Sequence, residues 1–145
     1  MVAPNEPIDP EGVDGFPLIE TFRDCCGHDR KFEVSVHVTD GGYFLRAAEI
    51  RKDGEGYHFA AHHPTSPYVA LGVLRHRVPE ALATRYLVED KGGRRLGHDR
   101  AVGHIGYGCV VIDGQEVPFH EFVDMLQSYE GWRFELRIDD GFQLF

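Results

Sequence analysis

Cysteine is scarce in this 145-residue chain: three residues in all, of which Cys25 and Cys26 are neighbours. Adjacent cysteines bridge each other only with strain, and pairing them would still leave one thiol over, so a disulfide framework is excluded. Long apolar runs are missing as well. No stretch approaches the roughly 20 apolar residues that a spanning helix needs, so no membrane partner is expected. Cations are few, 15 Lys and Arg against 24 Asp and Glu, giving a formal charge of −9. A phosphate backbone or anionic lipid surface would repel such a chain as a whole, which makes nucleic acid an unsuitable partner. The first residues, Met1-Val2-Ala3-Pro4, carry neither the basic nor the apolar region of a secretory signal, so a cytoplasmic location is expected.

What remains is an ordinary globular composition, 42% hydrophobic and 12% aromatic, at the size of one domain. Residues 1–15 hold Pro4, Pro7, Pro10, Gly12 and Gly15 with no apolar period to bury, and read as a flexible arm. Residues 16–145 read as a single α+β domain. Phe32, Val34, Val36 and Val38 alternate with Glu33, Ser35, His37 and Thr39, the period of a strand with one buried face. Asp40-Gly41-Gly42 supplies a hairpin turn, residues 43–51 a return strand, and residues 57–62 a third strand. With an earlier strand around residues 17–23 this makes an antiparallel β-meander. Ser66 and Pro67 then open a helix as cap and first residue. Leu71, Leu74, Val78 and Leu82 keep its spacing across Pro79, predicting a helix to Arg77 and a second or kinked one to Leu87. Residues 89–100 read as a polar loop, and 102–107 and 109–113 as a β-hairpin.

The last third has the plainest pattern. Asp113-Gly114 is a turn dipeptide, Pro118 opens a helix, and Phe119, Phe122, Val123, Leu126 and Tyr129 share one helical face. Gly131 ends the helix, and Trp132, Phe134, Leu136 and Ile138 alternate with Arg133, Glu135, Arg137 and Asp139. The expectation is a strand-helix-strand unit packed as one core with the rest. The run Ile112-Asp113-Gly114-Gln115-Glu116, then Glu121-Phe122, then Tyr129-Glu130-Gly131-Trp132 with Phe134, Leu136 and Ile138, resembles the tail of a family of small uncharacterised bacterial domains. In that family an isoleucine-aspartate-glycine turn leads to an acidic-aromatic helix and a tyrosine-glutamate-glycine-aromatic strand. The likeness spans Ile112 to Ile138, and reaches back more loosely to Leu71. It implies that turn, helix and strand, and no activity. Pro118-Phe119-His120 departs from the serine or threonine cap and tryptophan of the relatives. Some relatives carry a cysteine-rich metal segment ahead of this unit, of which this chain has only Cys25-Cys26-Gly27-His28.

Candidate chemistry is thin. Cys25, Cys26 and His28 lie in one predicted loop, and a zinc site would add His62 from the end of the third strand. Cys-Cys-Gly-His is half a zinc motif. His58 and His62 share a strand face but lie roughly 13 Å apart at about 3.3 Å per residue. Cys109 and His104 could meet across a hairpin, without an orienting third group or an oxyanion hole. Lys91, Arg94, Arg95, His98 and Arg100 form a locally basic loop that lacks any nucleic-acid motif. Tyr43, Phe44, Tyr57, Phe59 and Tyr68 give the meander aromatics on what read as both faces. A sheet apolar on both faces must be covered by a helix, a subunit or a ligand. The expected function is therefore a non-enzymatic protein-interaction or self-associating module, with a small metal- or ligand-binding enzyme at the Cys/His end of the meander as the alternative.

Overall fold

A computed structural model describes residues 13–142, and the expected arm therefore lies mostly outside the described residues. The chain is α+β: three antiparallel sheets and two α-helices among the described residues. Its contacts divide into two compact units, one of residues 13–50, 58–83 and 139–142, the other of residues 51–57 and 84–138.

In the first unit β1 (Leu18–Arg23), β2 (Asp29–Thr39), β3 (Gly42–Glu49) and β4 (His58–His63) form one meander in chain order. The alternation on β2 sets its face. Phe32, Val34, Val36 and Val38 are buried, and register places Leu45 and Ala47 of β3 beside Val36 and Val34 on the same side. The β2–β3 turn needs Gly42, whose φ is +117° and whose missing Cβ would lie 2.6 Å from the His63 carbonyl oxygen. Helix α1 (Pro67–Ala83) covers the apolar face with Ala70, Leu71, Leu74, Val78 and Leu82. Ser66 caps it as expected, its hydroxyl accepting the N–H groups of Tyr68 at 3.2 Å and Val69 at 3.3 Å. Of the two alternatives at Pro79, a separate second helix does not form: α1 runs on through Pro79 and ends at Ala83 rather than Leu87. Pro79 is exposed while Val78 and Leu82 are fully buried, so packing holds the helix through the position where an N–H is missing.

In the second unit β5 (Leu87–Asp90) pairs with β6 (Gly93–Leu96), and β7 (Gly103–Ile105), β8 (Cys109–Ile112) and β9 (Gln115–Pro118) form a three-stranded sheet with β8 at its centre. Three expectations change here. The polar loop of residues 89–100 contains a hairpin turning at Asp90-Lys91-Gly92-Gly93. Residues 115–118, read as a turn entering a helix, are a strand with Val117 fully buried. Helix α2 (Phe119–Leu126) is present, and a turn of 3-10 helix continues it to Tyr129, but residues 132–138 join no sheet. The core of this unit is Leu87, Ile112, Val117 and Met125, with Tyr86, Leu96, Val110 and Phe122 packed on it. Helix α2 thus turns one flank of its apolar arc inward, Phe122 and Met125, and leaves Phe119, Val123 and Leu126 outside.

Asp113 joins these pieces. It is buried with φ 55°, a conformation that Asp tolerates, and its carboxylate accepts the N–H of Tyr86 at 2.9 Å and of Leu87 at 2.8 Å. Those bonds tie the start of β5 to the β8–β9 turn. Replacing Asp113 by Ala leaves two N–H groups without their acceptor and is expected to destabilise the unit by about 2–3 kcal/mol. Trp132→Ala, at a side chain 64% exposed, should change stability by less than about 0.5 kcal/mol. Urea denaturation monitored by circular dichroism separates the two, and equal losses would refute this packing.

Candidate functional site

The predicted metal ligands fall at two ends of one strand. Cys25, Cys26 and His28 lie in the β1–β2 turn, where the two sulfurs are 3.7 Å apart. His62 is in β4 beside the β2–β3 turn, its Nε2 2.8 Å from the Gly41 carbonyl oxygen and its ring 4.4 Å from that of Phe44. The ten steps of β2 between those turns span about 33 Å at ~3.3 Å per residue. The four residues do not converge on one point. Among the described residues no group of three or more His, Cys, Asp or Glu side chains is placed to hold a metal ion.

The cysteine turn is organised by Asp24. Its Oδ1 accepts the N–H of Cys26 at 2.8 Å and of His28 at 2.9 Å, while Oδ2 accepts Arg30 Nε at 2.9 Å. Arg30 reaches on to Glu49 at 2.8 Å. Burial alone would raise the Asp24 pKa, but the His28 N–H, the Arg30 guanidinium and the Cys26 N–H outweigh it and hold the carboxyl down at about 2. A depressed carboxylate stabilises the fold above its ordinary pKa, and that stabilisation fades as pH falls toward 2. At the other candidate thiol, burial and the carboxylates of Glu116 and Glu55 push Cys109 up, which keeps it protonated and poorly nucleophilic. His104, proposed as its base, has Nε2 3.5 Å from Glu55.

The basic loop is engaged by its own unit's carboxylates. Arg94 bonds both oxygens of Glu121, at 3.0 and 2.7 Å, and Gln115 at 3.3 Å, while Arg95 bonds Asp90 at 3.0 Å. Its bond to Glu121 raises the Arg94 pKa, and the same bond lowers that of Glu121, so the pair locks the first turn of α2 to β6.

The aromatics on the strands of the meander separate by register. Tyr43 and Phe59 lie on the α1 side, opposite Val38 and Ala47, and Phe44 stands on the outer face of the sheet. There it meets the chain's own tail. The Phe142 ring lies edge-on to it at 5.2 Å, and Arg46 sits 4.9 Å over Phe142. His37, Thr39, Phe44, Arg46 and Phe142 line a shallow depression whose apolar surface is supplied partly by that tail.

Larger uncovered apolar surface belongs to the second unit. Trp132, Phe134, Leu136 and Ile138 are 64%, 84%, 76% and 67% exposed, in a row at the period of a strand. The row is anchored at its start: the Trp132 N–H donates to the Tyr129 carbonyl at 2.9 Å, and the Tyr129 ring stands edge-on to Trp132 at 5.2 Å. The Tyr129 hydroxyl in turn donates to the His98 carbonyl at 2.9 Å, which fixes where the row begins. The half-exposed flank of α2, Phe119, Val123 and Leu126, adds to the apolar surface of this unit.

Two domain families of unknown function cover this chain. Residues 14–83 match the model described as Domain of unknown function (DUF7686), and residues 86–143 match Domain of unknown function (DUF7713). The boundary between the matches falls at the end of α1, where one compact unit gives way to the other. No curated protein and no solved structure matches the chain. The exposed row therefore lies within the DUF7713 match, and the cysteine turn within the DUF7686 match. No helix among the described residues is long and apolar enough to cross a membrane.

Two outcomes are expected at the thiols and carboxylates. Iodoacetamide should modify Cys25 and Cys26 in the folded protein and reach Cys109 only on unfolding, as peptide mass mapping would reveal. Between pH 4 and 2 the wild type should lose stability more steeply than Asp24→Asn, measured as urea midpoints; parallel curves would remove Asp24 from the account.

Proposed function

We propose that the chain is a non-enzymatic protein-interaction module whose contact surface is the exposed row of residues 132–138, supported by the outer flank of α2. One observation carries the reading: four large apolar side chains at strand period, each at least 64% exposed, on backbone that joins no sheet. Four such side chains in water forgo stabilisation of about 1.5–3 kcal/mol each, which docking on another surface recovers. A segment with this alternation, its backbone outside any sheet, offers both things that strand addition uses, backbone donors and acceptors for affinity and alternate side chains for specificity. Exposed thiols at Cys25 and Cys26 suit a reducing compartment such as the cytosol.

The test compares the wild type with a Phe134→Ser, Leu136→Ser double variant, by light scattering and by fluorescence of an apolar dye. The wild type should either self-associate or bind dye, and the double variant should lose that property at unchanged thermal stability. A wild type that is strictly monomeric and binds no dye would end the proposal.

A further inference from the structure

Resting on that reading of residues 132–138 as the contact surface, we infer that their partner is a second copy of the same segment, paired antiparallel about a two-fold axis through Leu136. Charge complementarity and period together select this partner. Along the polar face the signs alternate: Arg133 positive, Glu135 negative, Arg137 positive, Asp139 negative. An antiparallel copy reverses that order, so a face of four alternating charges matches itself.

Only certain registers keep apolar opposite apolar, because successive side chains of a strand point to opposite faces. Centring the axis on Glu135 sets Glu135 against itself and Arg133 against Arg137. Centring it on Arg137 sets Arg137 against itself and Glu135 against Asp139. Both oppose like charges. Centring on Phe134 joins Arg133 to Glu135 but leaves Arg137 opposite Gly131, with no opposite charge, and Ile138 opposite Glu130. With the axis at Leu136, Glu135 faces Arg137, Arg133 faces Asp139, Phe134 faces Ile138, the two Leu136 side chains meet, and Trp132 at the end of the row faces Asp140. Every charged residue of the segment then has an opposite charge across from it, and by symmetry each pairing occurs twice.

Arg133, Glu135 and Asp139 remain open to this arrangement. Arg133 and Glu135 are ion-paired within one chain at 2.6 Å, yet their side chains are 86% and 80% exposed, and such a pair contributes too little to hold them from a cross-strand partner. Asp139 accepts the Gly141 N–H at 2.7 Å through Oδ1, and its carboxylate has further acceptor sites. Two paired strands are marginal alone, and the flank of α2 formed by Phe119, Val123 and Leu126 is apolar surface of the same unit that such a pair could cover.

The test is an exchange of charges, read by sedimentation equilibrium. In Glu135→Arg the segment presents a guanidinium at position 135 against Arg137 of its copy at two symmetric places, and in Arg137→Glu it presents two carboxylates to each other likewise. Each variant alone should dimerise at least about tenfold more weakly than the wild type. An equimolar mixture should recover dimers, since each guanidinium of one chain then faces a carboxylate of the other, and that recovery also certifies that both variants are folded. A wild type monomeric at every concentration, single variants that dimerise as the wild type does, or a mixture that stays monomeric would each overturn the proposal. A monomeric wild type that binds apolar dye at Phe134 and Leu136 would leave the interaction module standing and remove only the second copy as its partner.

Discussion

Strand β8 is paired on both edges, by β7 and by β9, and much of what is unusual in the second unit follows. The turn between β8 and β9 is closed by Asp113-Gly114, with Asp113 in the left-handed region and its carboxylate holding the backbone of Tyr86 and Leu87. Gly103 lets β7 come close, since a Cβ there would lie 2.0 Å from the Val111 carbonyl oxygen. With both edges of β8 occupied, residues 132–138 have no place beside the central strand, and they pair with neither edge strand of that sheet. They keep the alternation of a strand without joining a ladder.

Much of the first unit was legible because its periods are unambiguous. Phe32 to Val38 alternate strictly, and Ser66-Pro67 is a helix start with a mechanism; the structure has a strand and a capped helix there. The second unit was harder for equally physical reasons. Gln115-Glu116-Val117-Pro118 has Val117 as its lone aliphatic side chain and ends in proline, so nothing in its composition marks a strand; it becomes one because the tight turn at Asp113-Gly114 brings it against β8. Glu89 to Leu96 is polar, and of its residues only Leu96 packs against the core. The apolar residues of α2 form an arc too wide to be buried by one neighbour. Sequence periodicity could not say that Phe122 and Met125 would turn inward and Phe119, Val123 and Leu126 outward.

The candidate site was legible as a pattern and misread as packing. Trp132, Phe134, Leu136 and Ile138 carry the signature of a buried strand, and only the structure could reveal that they pair with no strand within residues 13–142. The Cys/His residues, by contrast, were grouped by a folded-back meander that did not arise: an eleven-residue β2 keeps its two turns far apart, so Cys25 and His62 mark opposite ends of the sheet. Alternating sign along Arg133, Glu135, Arg137 and Asp139 was present in the sequence throughout. It acquired meaning once the apolar face beside it proved to be uncovered.

The central claim is that residues 132–138 complete a sheet only with a second molecule. Hydrogen–deuterium exchange of the amides from Arg133 to Ile138, followed as protein concentration rises, addresses it most directly. These amides should exchange fast in dilute solution and gain protection as concentration rises, while the amides of β2 and β8 remain protected throughout. Exchange that stays fast at every concentration, or protection already complete in the dilute monomer, would contradict it.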